Sequence, residues 1–269
     1  MQTLGRGSYA TVKLVKDTTS GNLFAMKTMS KDFLKRQRVG VDSNAYEYVK
    51  GELKVLQRLE HPNIIYLHEI IDDPSKDSIH VITQYHSKGS LADRLEKRNE
   101  KFALANLKYQ RSGRTQLCHF QGINSSEARL YFIDMLKALH YCHTVIKVIH
   151  RDIKPENIML NHNNEAVLID FGVCCTAPSS AASRKKQHHR NMGTLMFYSP
   201  EMLNPPKDEA GEHIEIDGRL HDIWALGVSF YWLLTGKYPF GQHISVLNLK
   251  AAIIKKEVDF SLILNQQAQ

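Results

Sequence analysis

The stretch His150-Arg151-Asp152-Ile153-Lys154-Pro155-Glu156-Asn157 places a carboxylate, an ammonium and an amide within six residues. Asp152 is suited to accept or orient a hydroxyl proton, and Lys154 to neutralise charge on a moving phosphoryl group. Asn157 offers an oxygen to a divalent metal. Val167-Leu168-Ile169 reads as a short buried strand, and Asp170-Phe171-Gly172 follows it with a second hard oxygen ligand. Magnesium takes a few such ligands and completes its shell with phosphate oxygens and water.

Upstream, Gly5-Arg6-Gly7-Ser8-Tyr9-Ala10-Thr11-Val12 carries two glycines that let backbone lie close over phosphates. A glycine pair also marks ordinary hairpins, so alone it decides nothing. Phe24-Ala25-Met26-Lys27 reads as a strand ending in a lysine, either a surface group or a phosphate grip. Glu52, on a predicted helix facing the sheet, is either solvated or the anion that a buried lysine requires.

Val12 and Leu14 alternate with polar residues, as a strand does, and Leu23 to Thr28 reads as another. The turn-rich segment Asp17 to Asn22 joins them. Glu52, Leu53, Val55, Leu56 and Leu59 recur at helical spacing, with His61-Pro62-Asn63 as the stop. Ile64 to Ile71 and Ser78 to Thr83 read as further strands. After Ser87 the pattern turns helical. Asn124 with Glu127 resembles a capping pair, and Ala128, Tyr131, Met135, Leu139 and Cys142 mark one apolar face. Ile223 to Leu234 is an apolar helix around Trp224. The expected architecture is α+β and bilobal. Residues 1–86 form a small sheet with one main helix, and residues 87–269 form a larger, mainly helical part.

The chain has 269 residues, 42% of them hydrophobic, enough for a sizeable core. It contains no apolar run long enough to span a membrane, and its first residues lack the apolar core of a signal peptide. Cys118, Cys142, Cys174 and Cys175 have no metal-type spacing, which favours a reduced intracellular, cytoplasmic setting. The net charge of +7 is concentrated in two runs, Arg94 to Arg114 and Arg184 to Arg190. Each reads as a solvated loop or as a docking face for an acidic partner. No aromatic residues interleave the second run, so nucleic acid is not an expected partner.

Taken in order, the glycine-rich loop, Ala25-Met26-Lys27, Glu52, His150 to Asn157, Asp170-Phe171-Gly172, Ser199-Pro200-Glu201 and Asp222-Ile223-Trp224 resemble the eukaryotic protein kinases over essentially the whole chain. The resemblance implies a transferase that moves the γ-phosphate of ATP to protein hydroxyls with Mg2+. Lys27 would grip the α- and β-phosphates, held by Glu52. Asp152 would orient the hydroxyl, beside Lys154, and Asn157 and Asp170 would bind magnesium. Leu4, Gly5, Gly7, Val12, Ala25 and Met159 would surround the nucleotide. Thr83 would gate the back of the adenine pocket, and Gln84 and His86 would offer backbone groups to the adenine edge. Leu56, Leu67, His150 and Phe171 would form a stack coupling the lobes. Lys154 and Thr194 resemble the serine/threonine branch.

Three departures from the family pattern leave these groups in place: Ala10 for the third loop glycine, Leu195 after Thr194, and Ser199 for alanine. Loss of Lys27, Asp152 or Asp170 would mark a non-catalytic scaffold, and all are present. Phosphotransferases acting on small molecules or lipids usually lack a segment like Ser199-Pro200-Glu201. The family usually continues with further helices after the position of Phe260, so the C-terminal end is expected to be truncated. Phe33 to Gln37, Ile70 to Pro74 and Asp170 to Val173 resemble the calcium/calmodulin-dependent protein kinase kinases, with other calmodulin-kinase-like groups as the competing resemblance. That implies other kinases as substrates, a role in signalling, and calmodulin or another regulator acting through regions not present here. In the family a phosphate a few residues before Gly193 often pairs with the arginine corresponding to Arg151. Here Arg190 stands there, and Arg184 to Arg190 holds no hydroxyl or acid. Switching by another route is therefore expected, with Ser179, Ser180 and Ser183 as other modification sites.

Overall fold

In the computed structural model, residues 2–7, 9–38, 44–111, 122–176, 194–214, 216–241, 245–255 and 258–264 are described. The strands β1 (Gln2–Arg6), β2 (Ala10–Lys16), β3 (Leu23–Ser30), β4 (Leu67–Asp72) and β5 (Ser78–Gln84) form one antiparallel sheet in the order β1-β2-β3-β5-β4. Gly21, at φ 75°, closes the β2–β3 turn, where Asp17 accepts from Thr19 and Ser20.

Register decides which side chains share a face. Val12 pairs with Lys27 and Lys27 with Val81, while Leu14 pairs with Ala25 and Ala25 with Thr83. These rows are two residues apart, so Val12, Ala25, Lys27 and Thr83 lie on the same side of the sheet. Leu4 lies at a register shift between Thr3 and Gly5.

Helix α1 (Lys31–Arg36) follows β3 directly, and α2 (Ala45–Leu56) brings Glu52 towards Lys27. The sheet ends at Gln84, and α3 (Leu91–Arg111) opens a mainly helical region built on α4 (Ser125–Tyr141) and α6 (Gly218–Thr235), with the short α5 (Pro200–Leu203) between them. Helix α4 buries the predicted face: Ala128, Tyr131, Met135, Leu139 and Cys142 are at most 2% exposed. Phe132 meets Phe230 of α6 edge-on at 5.0 Å. Gly122 lies so close to the Leu234 carbonyl that any side chain there would collide. Two small ribbons, β6 (Val148–Ile149) with β9 (Cys175–Thr176) and β7 (Ile158–Leu160) with β8 (Ala166–Leu168), fasten the loops that carry the chemistry. Helices α7 (Val246–Lys255) and α8 (Ser261–Leu264) complete the described chain. No helix of the described residues is long and apolar enough to cross a membrane. The fold is α+β, a five-stranded sheet beside a helical region, as expected.

Several local expectations are corrected. Helix α2 ends at Leu56, not at His61-Pro62, because Tyr141 takes over the following backbone. The Glu60 amide donates to Tyr141 Oη at 3.0 Å, and Tyr141 donates to the Arg58 carbonyl at 3.3 Å. Ile64 and Ile65 are not part of β4. Their segment pairs with β8 instead, through Ile65 N to the Leu168 carbonyl at 2.9 Å. The run from Arg94 is helix up to Arg111, not a loop, and Arg94 pairs with Glu127 at 2.6 Å. Glu127 therefore does not complete a capping box. Asn124 caps α4 alone, accepting from Ser126 N at 2.8 Å. Cys142, Cys174 and Cys175 are free thiols. Cys118, Ser8, the run Arg184 to Arg190, Gly193, and Ser179, Ser180 and Ser183 lie outside the described residues.

Candidate active site

Asp152 is held by both carboxylate oxygens. Oδ1 accepts from the Thr194 amide and hydroxyl, each at 3.2 Å. Oδ2 accepts from Lys154 Nζ at 2.7 Å and Asn157 Nδ2 at 2.9 Å. Lys154 Nζ also donates to Thr194 Oγ1 at 3.0 Å. The sequence places Thr194 40 residues beyond Lys154 and 42 beyond Asp152, and the fold closes the two segments into one network. Asn157 Nδ2 further donates to the Asp152 carbonyl at 2.8 Å, so the amide nitrogen is turned to Asp152 and its oxygen is the end left for a metal.

The opposing group is built on the sheet. Lys27 Nζ lies 3.0 Å from Glu52 Oε1 and 3.8 Å from Asp170 Oδ1. Burial alone would pull the Lys27 ammonium down, but the carboxylates of Glu52 and then Asp170 hold it above its ordinary value. Glu52 is buried, whereas half of the Asp170 side chain is exposed, as a metal ligand facing substrate would be. Asp170 takes φ 59°, in the left-handed region, and Gly172 beside it leaves little room for a side chain against Asp170 and Glu52. Phe171 is fully buried, with the His150 ring edge-on at 4.8 Å. Leu56 lies in the same core cluster, and Leu67 packs against that cluster.

Of the residues expected around the adenine, Leu4, Val12, Ala25 and Thr83 stand on the five-stranded sheet and Met159 on β7. Val12, Ala25, Thr83 and Met159 are half-buried and Leu4 is exposed. Gln84 N donates to the Tyr66 carbonyl at 3.1 Å, so of its backbone groups only the carbonyl could serve adenine. The His86 carbonyl accepts from Gly89 N at 3.4 Å, so His86 would serve through its N–H. A separate cavity of about 360 Å³, lined by Glu60, His61, Pro62, Ile64, Tyr66 and Gln84, shares only Gln84 with this set.

The His86 side chain is 5% exposed, and neither ring nitrogen has a hydrogen-bond partner among the described residues. Burial pushes its pKa from 6.5 down to about 4. A folded value below the unfolded one means stability is complete above the unfolded pKa and is lost as pH falls from there towards the folded value. The loss is on the order of 2–3 kcal/mol for one such group. Denaturant titrations of wild type and His86→Val between pH 7 and 4 should therefore diverge, with the variant flatter. Parallel curves would refute the assignment.

The sequence quoted Asp222 without a role, and His143 escaped it. Asp222 is fully buried and accepts from His150 N at 2.9 Å and Arg151 N at 2.8 Å, with His143 Nε2 at 2.8 Å. Burial would raise its pKa, but the His143 hydrogen bond and the neighbouring donors win and hold it below the usual carboxylate range. Asp222 stands one residue before the predicted helix Ile223 to Leu234 and His143 one residue after the predicted face ends at Cys142, so no local pattern paired them.

Comparison with known proteins bears on the same residues. The protein kinase domain family matches residues 1–268. The serine/threonine-protein kinase TOS3 of Saccharomyces cerevisiae is 30% identical over 266 residues, covering 97% of this chain and 43% of that protein. The serine/threonine-protein kinase ssp1 of Schizosaccharomyces pombe is 33% identical over 244 residues, 88% of this chain and 33% of that protein. CBL-interacting protein kinase 9 of Oryza sativa is 29% identical over 257 residues, 96% and 47%. The chain thus spans less than half the length of these curated relatives. With the family match running through both the Lys27–Glu52 pair and the Asp152 network, the chain belongs to the protein kinase domain family.

Proposed function

We propose that this chain is the catalytic domain of an ATP- and magnesium-dependent serine/threonine protein kinase, with residues 1–86 as its nucleotide lobe and 87–269 as its substrate lobe. The observation that carries the reading is Asp152, pinned by Lys154, Asn157 and Thr194, in one fold with the Lys27–Glu52–Asp170 cluster.

The nucleotide and the ion fit the residues present. A Cβ on Gly5 would meet nothing within 4 Å and one on Gly7 only the Ala10 carbonyl at 3.9 Å, so packing does not demand glycine there. An approaching phosphate does. Asn157 and Asp170 supply hard oxygens, and no cluster of three His, Cys, Asp or Glu suited to a metal occurs among the described residues. An ion here completes its shell with phosphate and water, which suits Mg2+. When bound, Mg2+ would neutralise charge on the phosphates and polarise them.

The chain's own groups do the rest. Lys27 fixes the α- and β-phosphates, and Glu52 fixes Lys27. Thr83 gates the back of the adenine pocket, and Gln84 and His86 serve the adenine edge, between Val12, Ala25, Leu4 and Met159. Asp152 receives the serine or threonine hydroxyl and orients it in line with the γ-phosphate. Lys154, already on Asp152 and Thr194, offsets charge as the phosphoryl group moves. The likeness of Phe33 to Gln37 and Ile70 to Pro74 to the calcium/calmodulin-dependent protein kinase kinases supports protein substrates that are themselves kinases. It also supports a signalling role in the cytoplasm and control by calmodulin or another regulator through regions outside this chain.

The test is transfer of labelled γ-phosphate from ATP to intact protein kinases and to a serine/threonine peptide library, with and without chelation of Mg2+. Label on serine or threonine that vanishes on chelation is expected. Label confined to tyrosine, or none from folded protein, overturns the reading.

A further inference from the structure

We propose that Phe33 is a positioning residue for the phosphate end of the nucleotide site, acting through the ring of Tyr9 to hold the tip of the glycine-rich loop. The inference rests on the ATP reading above.

The register brings the two together. Ala10 pairs with Met29, so residue 9 lies across from the last residue of β3, and α1 begins at Lys31. The Tyr9 and Phe33 ring centroids are 6.2 Å apart, tilted by 50°, within the range of attractive aromatic pairs. Both rings are more than two-fifths exposed, at 45% and 43%, so core packing does not explain the contact.

One partner is fixed and the other is not. Helix α1 is bolted to the β4–β5 loop. The Phe33 amide donates to Ser30 Oγ, and Ser30 Oγ donates to Asp77 at 2.6 Å. The Asp32 amide donates to Asp77 at 2.7 Å. Lys31 Nζ reaches Asp72 and the Asp73 carbonyl, each at 2.6 Å, and Leu34 is fully buried. The loop has Gly5 and Gly7 before its tip, and Gly7 N closes the tip turn on the Ala10 carbonyl at 2.8 Å. Among the described residues, the ring pair is the side-chain contact recorded between the tip and α1. Two glycines give the loop freedom, and an aromatic anchor on a rigid helix limits it.

Release of the anchor leaves Lys27, Asp152 and Asp170 untouched but lets the loop amides wander from the phosphates. Nucleotide affinity should weaken about threefold to tenfold, the range an aromatic pair supports, with kcat within about twofold. A KM effect without a kcat effect is the signature of lost ground-state positioning.

The test is a double-mutant cycle on the whole chain with Phe33→Ala, Tyr9→Ala and both, reading Kd for MgADP by calorimetry. Amide hydrogen exchange of residues 5–10 in nucleotide-free protein is the second readout. Each single variant should weaken MgADP by the same factor and speed exchange at the tip, and the double variant should be no worse than the weaker single. Phe33→Tyr should restore wild-type Kd. Effects that multiply, or unchanged Kd and exchange, overturn the proposal while leaving the ATP reading standing. A folded wild-type protein that does not bind MgADP overturns both.

Discussion

Asp152→Asn is expected to lower phosphoryl transfer at least a hundredfold while MgADP affinity stays within a few fold. General acid–base groups contribute ~10²–10⁴ in rate, and on the proposed reading Asp152 is one, at the centre of a positioning network. Oδ1 faces two donors from Thr194, and Oδ2 faces donors from Lys154 and Asn157. An asparagine has one oxygen and one NH2, so in either orientation its NH2 confronts donors. The hydroxyl of the substrate then loses its acceptor, and Lys154 loses the anion that steers it. Asp152 is not among the contacts recorded for Lys27, Glu52 or Asp170, which is why nucleotide binding should survive. Single-turnover transfer to a peptide, beside calorimetric MgADP binding, separates the two effects. A variant that keeps more than a tenth of the wild-type rate removes Asp152 from the centre of the reaction.

The residues of that network were legible because the chemistry dictates their type and the chain gives them in close order: Asp152, Lys154 and Asn157 stand within one loop. Lys27 and Glu52 were legible only as a pair of alternatives, since nothing in a lone lysine or glutamate tells solvent from phosphate. Helix α3 was misread because its many Lys, Arg and Asn residues hid a short apolar signal. Its start is nonetheless written in the sequence. Ser90 and Asp93 cap one another, with Ser90 N on Asp93 Oδ2 at 2.7 Å and Asp93 N on Ser90 Oγ at 3.1 Å. Leu91 and Leu95, four apart, are both buried. The capping pair that was expected, Asn124 with Glu127, is half formed because Arg94 and Tyr131 draw Glu127 away. The early end of α2 is of the same kind: Tyr141, 81 residues beyond Glu60, decides it, and no local pattern can carry such information.

Asp222 marks the furthest reach of such long-range control, and its loss should be the most destabilising single change at the site. Arg151 sits at φ 70°, a backbone conformation that costs free energy for a side-chain-bearing residue. Two consecutive amides, His150 and Arg151, are held there by the carboxylate of Asp222, with His143 on the same group. Asp222→Ala strands both amides and the imidazole in a buried place and removes the reason for the turn. Breaking a buried charged partner costs about 3–5 kcal/mol, or roughly 10 °C in Tm for a chain of this size. Asp222→Asn keeps the volume and one acceptor and should lose less stability. It should still lose rate, because Asp152 follows Arg151 directly and its placement depends on that turn. The pH dependence gives an independent check. Because the folded carboxyl lies below its ordinary value, its contribution is complete above the unfolded pKa and is lost progressively as pH falls from there through the lower folded one. Wild type should therefore outlast Asp222→Asn down to acid pH, with the two stability curves converging only there. Thermal melts across pH, with phosphotransfer rates at neutral pH, measure both parts. An alanine variant that melts within about two degrees of wild type would show that the catalytic turn is held by something other than this carboxylate.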